Sequence, residues 1–325
     1  MIGSGAQEHG TVARDGQDVL VHRALLYGSR SEFLLIAVPF LSAARREGGA
    51  VVAVVAPAVA ADLRGRLDPA AAAAVEFLDP AEWFSGPMHA LATLHDRARG
   101  DWWPRGRLRL LAEPVWDGRT PLETREWKRY DALLNVVFAG TPTRIVCAYD
   151  TAALPGHVLD DAARTHPELT GPDGTAAAAR YTDPAAFCAE CDAVPLPPPP
   201  AAAARRTFAA GGLPGLRDFL SAEAARLGLP RERTLPFVLA ANEVATGIVR
   251  DGGGRGVLRV WAQDGELICD VADPVGVLTE RFPGYEPPGA EGHDPAMWAV
   301  RRLCHIVETR SDPRGLQIRL RLKLA

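Results

Sequence analysis

The pattern of apolar and polar positions divides the chain into two halves built differently. In the first half, short apolar runs alternate with longer amphipathic stretches. Ala50-Val-Val-Ala-Val-Val-Ala56 is a β-branched run of the length that suits a buried strand. Ala58 to Leu67 then reads as a helix, Ala74 to Leu78 as a strand, Pro87 to Ala98 as a helix and Arg107 to Glu113 as a strand. Leu122 to Ala139 is a long amphipathic helix whose apolar face carries Trp127, Tyr130, Leu133, Leu134 and Val137. Arg144 to Tyr149 reads as a fourth strand. Strands alternating with helices predict an α/β domain with a mostly parallel sheet covered on both faces.

The second half changes rhythm. Pro195-Leu-Pro-Pro-Pro-Pro200, followed by Ala201 to Ala204, favours extended polyproline conformation and reads as a semi-rigid spacer. After it, Gly215 to Leu227 and Arg231 to Arg250 read as helices. Gly256 to Trp261, Leu267 to Val271 and Leu316 to Leu324 read as strands, with a helix from Ala296 to Val307 before the last. Helices segregated from an antiparallel or mixed sheet predict an α+β two-layer sandwich. The expected organisation is a first domain over 14–190, a Pro/Ala-rich linker over 191–204 and a second domain over 205–325, with a disordered tail before about residue 13.

Composition narrows the function classes. The net charge of −4 and the lack of a basic stripe with interleaved aromatics argue against direct nucleic-acid binding. The apolar run from Phe33 to Leu41 is too short to span a bilayer and contains Pro39, so no membrane role is expected. The first residues lack a basic segment followed by an apolar core, and a cytoplasmic location is expected. The five cysteines outline no disulfide framework. Cys188-Ala-Glu-Cys191 lacks a second pair or a nearby His pair to complete a zinc site, so no metal ligands are assigned. No Gly-x-x-x-x-Gly-Lys-[Ser/Thr] loop occurs. Abundant alanine, arginine, glycine and proline with scarce lysine point to a high-GC, actinobacterial type of genome.

In the second domain, Leu239-Ala-Ala-Asn-Glu-Val-Ala-Thr-Gly247 and Val271-Ala-Asp273-Pro-Val-Gly276 carry a resemblance. They are similar to the nucleotide-binding core of the histidine-kinase-type ATPases, in the branch of anti-sigma-factor serine/threonine kinases. Pro283-Gly-Tyr-Glu-Pro-Pro288 resembles its lid, Trp298 and Arg301 its following helix, and Val307 to Ser311 with Arg314 to Arg319 its closing hairpin. The resemblance implies Glu243 as base, Asp273 as adenine anchor and Gly276 as part of the nucleotide turn. It also implies an Asn magnesium ligand four residues after Glu243, where this chain has Gly247. Glycine has no side chain to coordinate the octahedral ion. Asn242 lies on another side of the helix, and Asp294 would bring a negative charge towards the phosphates. The expected domain is therefore a degenerate ATPase fold that binds protein without catalysis, with ATP an open cofactor and magnesium disfavoured. The alternative is an active serine/threonine kinase using ATP and magnesium. Read without the resemblance, Glu243 is a helix-surface carboxylate and Asp273 a turn former.

In the first domain, His22 to Tyr27, Asp79-Pro-Ala-Glu-Trp83, Glu126-Trp-Lys-Arg-Tyr-Asp131 continuing to Asn135, Cys147-Ala-Tyr-Asp150 and Thr165-His-Pro167 resemble the MEDS sensory domain, a module linked to small organic compounds. The resemblance implies a RecA-like architecture without its phosphate loop. His22, Tyr27, Trp83, Trp127, Tyr130, Tyr149 and His166 combine apolar rings with polar tips and are the candidates for a ligand pocket. The alternative is that Trp127 and Tyr130 are core residues and His166 caps a loop. Together the readings predict a signalling regulator. Its first domain would sense a small molecule or partner, and its second would bind a sigma factor, an anti-sigma antagonist or another regulatory protein. A homodimer is one open arrangement.

Overall fold

Every position of Ala50–Val54 is buried, which is why a run without a single polar side chain forms strand β2 here. The computed structural model describes residues 19–43, 48–277, 280–288, 295–313 and 315–324. The expected tail before residue 13, Asp294 and Arg314 lie outside the described residues. Two sheets organise the chain. The first has the order β3-β2-β4-β5-β1-β6-β7. Its strands are β1 (Val21–Tyr27), β2, β3 (Val75–Leu78), β4 (Leu108–Ala112), β5 (Thr143–Asp150), β6 (Glu168–Gly171) and β7 (Gly174–Ala177). All pairings are parallel except β6 with β7.

Side chains alternate across this sheet, so each face has its own core. On one face Ala24, Val52, Leu110, Ile145, Cys147 and Tyr149 meet the helices Pro87–Arg97, Pro121–Val137 and Gly156–Thr165. On the other, Leu25, Tyr27, Ala53, Leu111 and Val146 meet the helices Arg30–Ser42 and Pro57–Arg66. The Pro121–Val137 helix starts in a capping box, with Thr120 and Glu123 each satisfying the other's backbone N–H.

The second sheet is antiparallel, in the order β11-β12-β10-β9-β8. Its strands are β8 (Ala204–Ala209), β9 (Arg255–Gln263), β10 (Glu266–Asp273), β11 (Ile306–Asp312) and β12 (Gly315–Lys323). One face, with Val260, Leu267, Cys269, Ile318 and Leu320, buries itself against the helices Leu213–Arg226, Arg231–Asp251 and Pro295–Leu303. The other face is rich in charge and carries Asp270, Glu308, Arg319 and Arg321.

The expected helix from Ala296 to Val307 is corrected: it ends at Leu303, and Ile306 opens β11. Ile306 and Val307 are β-branched residues that pair along β12, and sheet pairing overrides the helical reading. The proline-rich segment is not a free spacer. The Val194 carbonyl accepts from Arg310 and the Pro197 carbonyl from Arg319, which lays the segment along the charged face of the second sheet. Asp192 still belongs to the Pro184–Asp192 helix and Ala204 already belongs to β8. All five cysteines are buried free thiols. No helix of the described residues is long and apolar enough to cross a membrane.

Candidate functional site

Strand β1 places His22 on the face that also carries Cys147 of β5, and His166 closes over both from the end of the Gly156–Thr165 helix. The His22 and His166 ring centroids are 4.1 Å apart, and Tyr149 meets His166 edge-on at 5.6 Å. The three rings are almost wholly inaccessible. His22 Nδ1 lies 3.0 Å from Asn135 Oδ1, and its Nε2 lies 3.6 Å from Cys147 Sγ. Asn135 is held in turn by its amide donating to the Thr165 carbonyl at 2.7 Å. His166 Nδ1 faces the Ala162 carbonyl at 2.9 Å. The Tyr149 hydroxyl donates to Asp131 at 2.6 Å.

Burial governs the protonation of this cluster. It pushes the His22 ring down to about 4, against the Asn135 hydrogen bond, and His166 well below the usual histidine range with help from His22. It lifts the Asp131 carboxyl to about 7, against the Tyr149 hydrogen bond and the Arg119 charge. It also holds the Cys147 thiol and the Tyr149 hydroxyl well above their ordinary ranges, with Asp131 adding to both. At neutral pH both imidazoles are uncharged and Cys147 is a thiol.

The aromatic candidates do not form one pocket. Trp127 and Tyr130 stack edge-on at 5.2 Å in the core beside Phe84, and Trp83 leans on Trp102. Tyr27 sits on the opposite face of the sheet, where its hydroxyl donates to Glu113. Its separation follows from strand parity: His22 and Tyr27 are an odd number of residues apart in β1. His22 faces neither Asp150 nor Glu126. Asp150 caps the Ala152 and Ala153 amides, and Glu126 binds Arg129. The cluster residues without a sequence assignment are Asp131, Asn135 and Cys147. All three stood inside motif stretches, but nothing local marks a mid-helix Asn as the partner of a His 113 residues away, or a mid-helix Asp as the partner of a strand Tyr 18 residues on.

Residues 21–167 match the family model described as MEDS: MEthanogen/methylotroph, DcmR Sensory domain. This stretch is a MEDS domain. No curated protein matches the chain. The His22, Cys147 and His166 cluster lies wholly within the MEDS domain.

The helix that supplies Asp131 and Asn135 also reaches out of the MEDS domain. Glu123 in its first turn accepts from Lys323 at 2.9 Å and lies 3.1 Å from His305 Nε2. Arg125 donates to Glu308 at 3.0 Å, and Glu126 accepts from the Tyr285 hydroxyl at 3.4 Å. Arg129 grips Asp192, which also binds Arg310. Tyr285 is stacked under the Arg301 guanidinium at 3.6 Å, and Trp298 packs edge-on against His95. The stretch that resembled a lid is thus docked on the MEDS domain through Tyr285.

A cavity of about 450 Å³ in the second domain is lined by Glu243, Gly247, Asp273, Gly276, Pro283, Met297 and Val300, among others. Asp273 is 1% exposed. Its two carboxylate oxygens accept from the Gly253 amide at 2.8 Å and the Val275 amide at 3.1 Å, which clamps the turn after β10. A Cβ at Gly276 would collide with that carboxylate, so the turn closes only with glycine there. A Cβ at Gly247 would meet nothing within 4 Å. Asn242 turns away to accept from Arg217 at 3.2 Å. The Pro295–Leu303 helix stands between the two sites: Met297 and Val300 line the cavity, while Trp298 and Arg301 face the MEDS domain contact.

Proposed function

We propose that this protein is a signalling regulator in which the MEDS domain senses a small organic molecule and the second domain passes the state on by binding another protein, without catalysis. The observation that carries the reading is one rigid element with two tasks. The Pro121–Val137 helix holds Asp131 against Tyr149 and Asn135 against His22, and Glu123, Arg125 and Glu126 against the second domain. A shift at the histidine cluster that moves this helix changes the charged face of the second sheet and the setting of Tyr285. A ligand acts on such an element only through its different affinity for the two arrangements.

The mostly parallel first sheet supports a RecA-like architecture without a phosphate loop. The antiparallel sheet with three helices on one face supports the two-layer histidine-kinase-type ATPase fold, with a sigma factor or an anti-sigma antagonist as the class of partner. Gly247 supports loss of turnover, since no side chain stands where magnesium needs an oxygen. The test is a thermal-shift screen of the full chain against one-carbon and other small organic compounds. A compound that raises the melting temperature of the wild type should leave His22→Ala unshifted. It should still bind Arg125→Ala, with its effect on the second domain lost.

A second reading is favoured by the 450 Å³ cavity that gathers Glu243, Asp273 and Gly276. In it the second domain holds ATP, and in its strongest form transfers phosphate as an anti-sigma-type kinase with Glu243 as base. The engagement of both Asp273 oxygens by backbone amides weighs against an adenine anchor. Titration with ATP and magnesium, followed by a phosphotransfer assay, separates the two readings.

A further inference from the structure

We propose that His22, Cys147 and His166 together bind one thiophilic late first-row metal ion, zinc(II) or copper(I), inside the MEDS domain. The proposal goes beyond small-molecule sensing and holds whichever compound the domain recognises. Its basis is geometric. The two imidazole nitrogens and the thiol sulfur all lie within 4.8 Å of one another. A zinc ion about 2.0–2.1 Å from nitrogen and about 2.3 Å from sulfur sets its donors roughly 3.3–3.6 Å apart. His22 Nε2 and Cys147 Sγ are already at 3.6 Å. Closing the cluster takes side-chain movements on the order of 1 Å.

The hydrogen bonds behind the rings fix which nitrogens face the ion. The Ala162 carbonyl can only accept, so His166 Nδ1 carries the proton and Nε2 the lone pair. The Asn135 amide donates to the Thr165 carbonyl, which turns its oxygen towards His22 Nδ1 and makes that nitrogen the donor. Both Nε2 lone pairs therefore face the cluster, that of His166 unpartnered and that of His22 accepting only the Cys147 thiol. A ring N–H given to a carbonyl or amide oxygen is the usual support behind a metal-bound histidine.

A second observation points to an occupant. His166 Nε2 is fully buried and has no hydrogen-bond partner. An unsatisfied acceptor in the core is costly, and neither Cys147 nor His22 supplies it with a donor. A cation bound there satisfies His166 and takes the place of the Cys147 thiol proton at His22 Nε2. The thiol–imidazole donor set selects the ion, because magnesium and calcium need oxygen ligands. On binding, the Cys147 S–H bond breaks, its proton leaves to solvent and the thiolate forms the metal–sulfur bond. Three protein ligands leave one tetrahedral position for an outside donor.

The experiment uses the full chain, refolded under reducing conditions with zinc(II) or copper(I), desalted and analysed for metal by mass spectrometry. The expected result is one equivalent of one ion, with competition by zinc-specific and copper(I)-specific chelators telling which. Cobalt(II) in place of zinc should give a thiolate-to-cobalt charge-transfer band that Cys147→Ser abolishes and Cys269→Ser retains. His166→Gln should lose stoichiometric metal, and Asn135→Ala, which leaves all three ligands in place, should weaken binding about 10–100-fold. Circular dichroism confirms that each variant is folded, and His166→Gln decides the matter where Cys147→Ser is not. Wild-type protein that takes up neither ion, or a folded His166→Gln that keeps a full equivalent, overturns the proposal.

Discussion

Glu123 and Lys323 form an ion pair at 2.9 Å that joins the first turn of the Pro121–Val137 helix to the last strand of the second sheet. The other Glu123 oxygen accepts from the Thr120 amide and closes the capping box. Burial alone would raise this carboxyl, but hydrogen bonds from Lys323, Thr120 and His305 outweigh it and hold it down at about 2. A depressed carboxyl stabilises the fold above its ordinary value of 4.5 and loses that contribution as pH falls towards about 2. The stability difference between wild type and Glu123→Gln, from denaturant midpoints, should be constant above about pH 5 and vanish near pH 2.

Glu308 is the anion at the centre of the contact. Its carboxylate takes Arg125 at 3.0 Å and Arg321 at 2.8 Å, with Arg310 at 3.7 Å, and it is 4% exposed. Glu308→Ala takes the nearest carboxylate from Arg125 and leaves Arg310 and Arg321 with only the Asp192 and Glu266 carboxylates. Removing one partner of a buried ionic network costs about 3 kcal/mol or more. The urea midpoint should fall accordingly, and Arg125→Ala, which leaves Arg321 on Glu308, should cost less.

Asp131 carries a penalty of the opposite sign. The unfolded carboxyl ionises near 3.8 and the folded one near 7, so stability falls as pH rises between those values and stays lowered above them. Asp131→Asn keeps an oxygen for the Tyr149 hydroxyl and removes the buried charge. It should match the wild type near pH 4 and exceed it at about pH 8, by on the order of 3 kcal/mol. Chemical denaturation at the two pH values reads this directly.

Asp273→Asn addresses the turn after β10. An amide offers one acceptor oxygen where the carboxylate serves both the Gly253 and Val275 amides. The variant should lose about 1–3 kcal/mol in nucleotide-free buffer. An adenine anchor with no structural task would show no loss under those conditions.

Gly247→Asn restores an amide oxygen where nothing obstructs a side chain. Glycine is also the poorer residue in a helix interior, so the variant should be at least as stable as the wild type. The account predicts no magnesium-dependent ATP binding by the wild type in calorimetry and a measurable gain in the variant.

Much of the fold was legible from periodicity alone. The runs Ala50–Ala56 and Arg144–Tyr149 and the helix read from Leu122 to Ala139 announce themselves because buried strands are apolar throughout and a one-sided helix repeats its apolar positions. Strand β1 escaped because His22 and Arg23 interrupt its apolar run. His22 is buried only because Asn135 and Cys147 stand opposite it. The helix read as running to Val307 was four residues too long, since a partner strand rather than local propensity decides the state of Ile306 and Val307. The second-domain residues Glu243, Asp273 and Gly276 meet in one cavity, as an ordered local motif can indicate. The three-way meeting of residues 22, 147 and 166 had no local signal, because the parallel pairing of β1 with β5 and the return of the Gly156–Thr165 helix create it. The docking of Tyr285 and Trp298 on the MEDS domain was equally silent in the sequence.

Hydrogen exchange of the full chain, compared between wild type and Asn135→Ala, tests the central claim that the Pro121–Val137 helix couples the histidine cluster to the second domain. The account predicts faster exchange in that helix and also in β11 and β12, more than 160 residues from the substitution. Faster exchange confined to the first sheet and its helices, with Ile306–Lys323 unchanged, would contradict it.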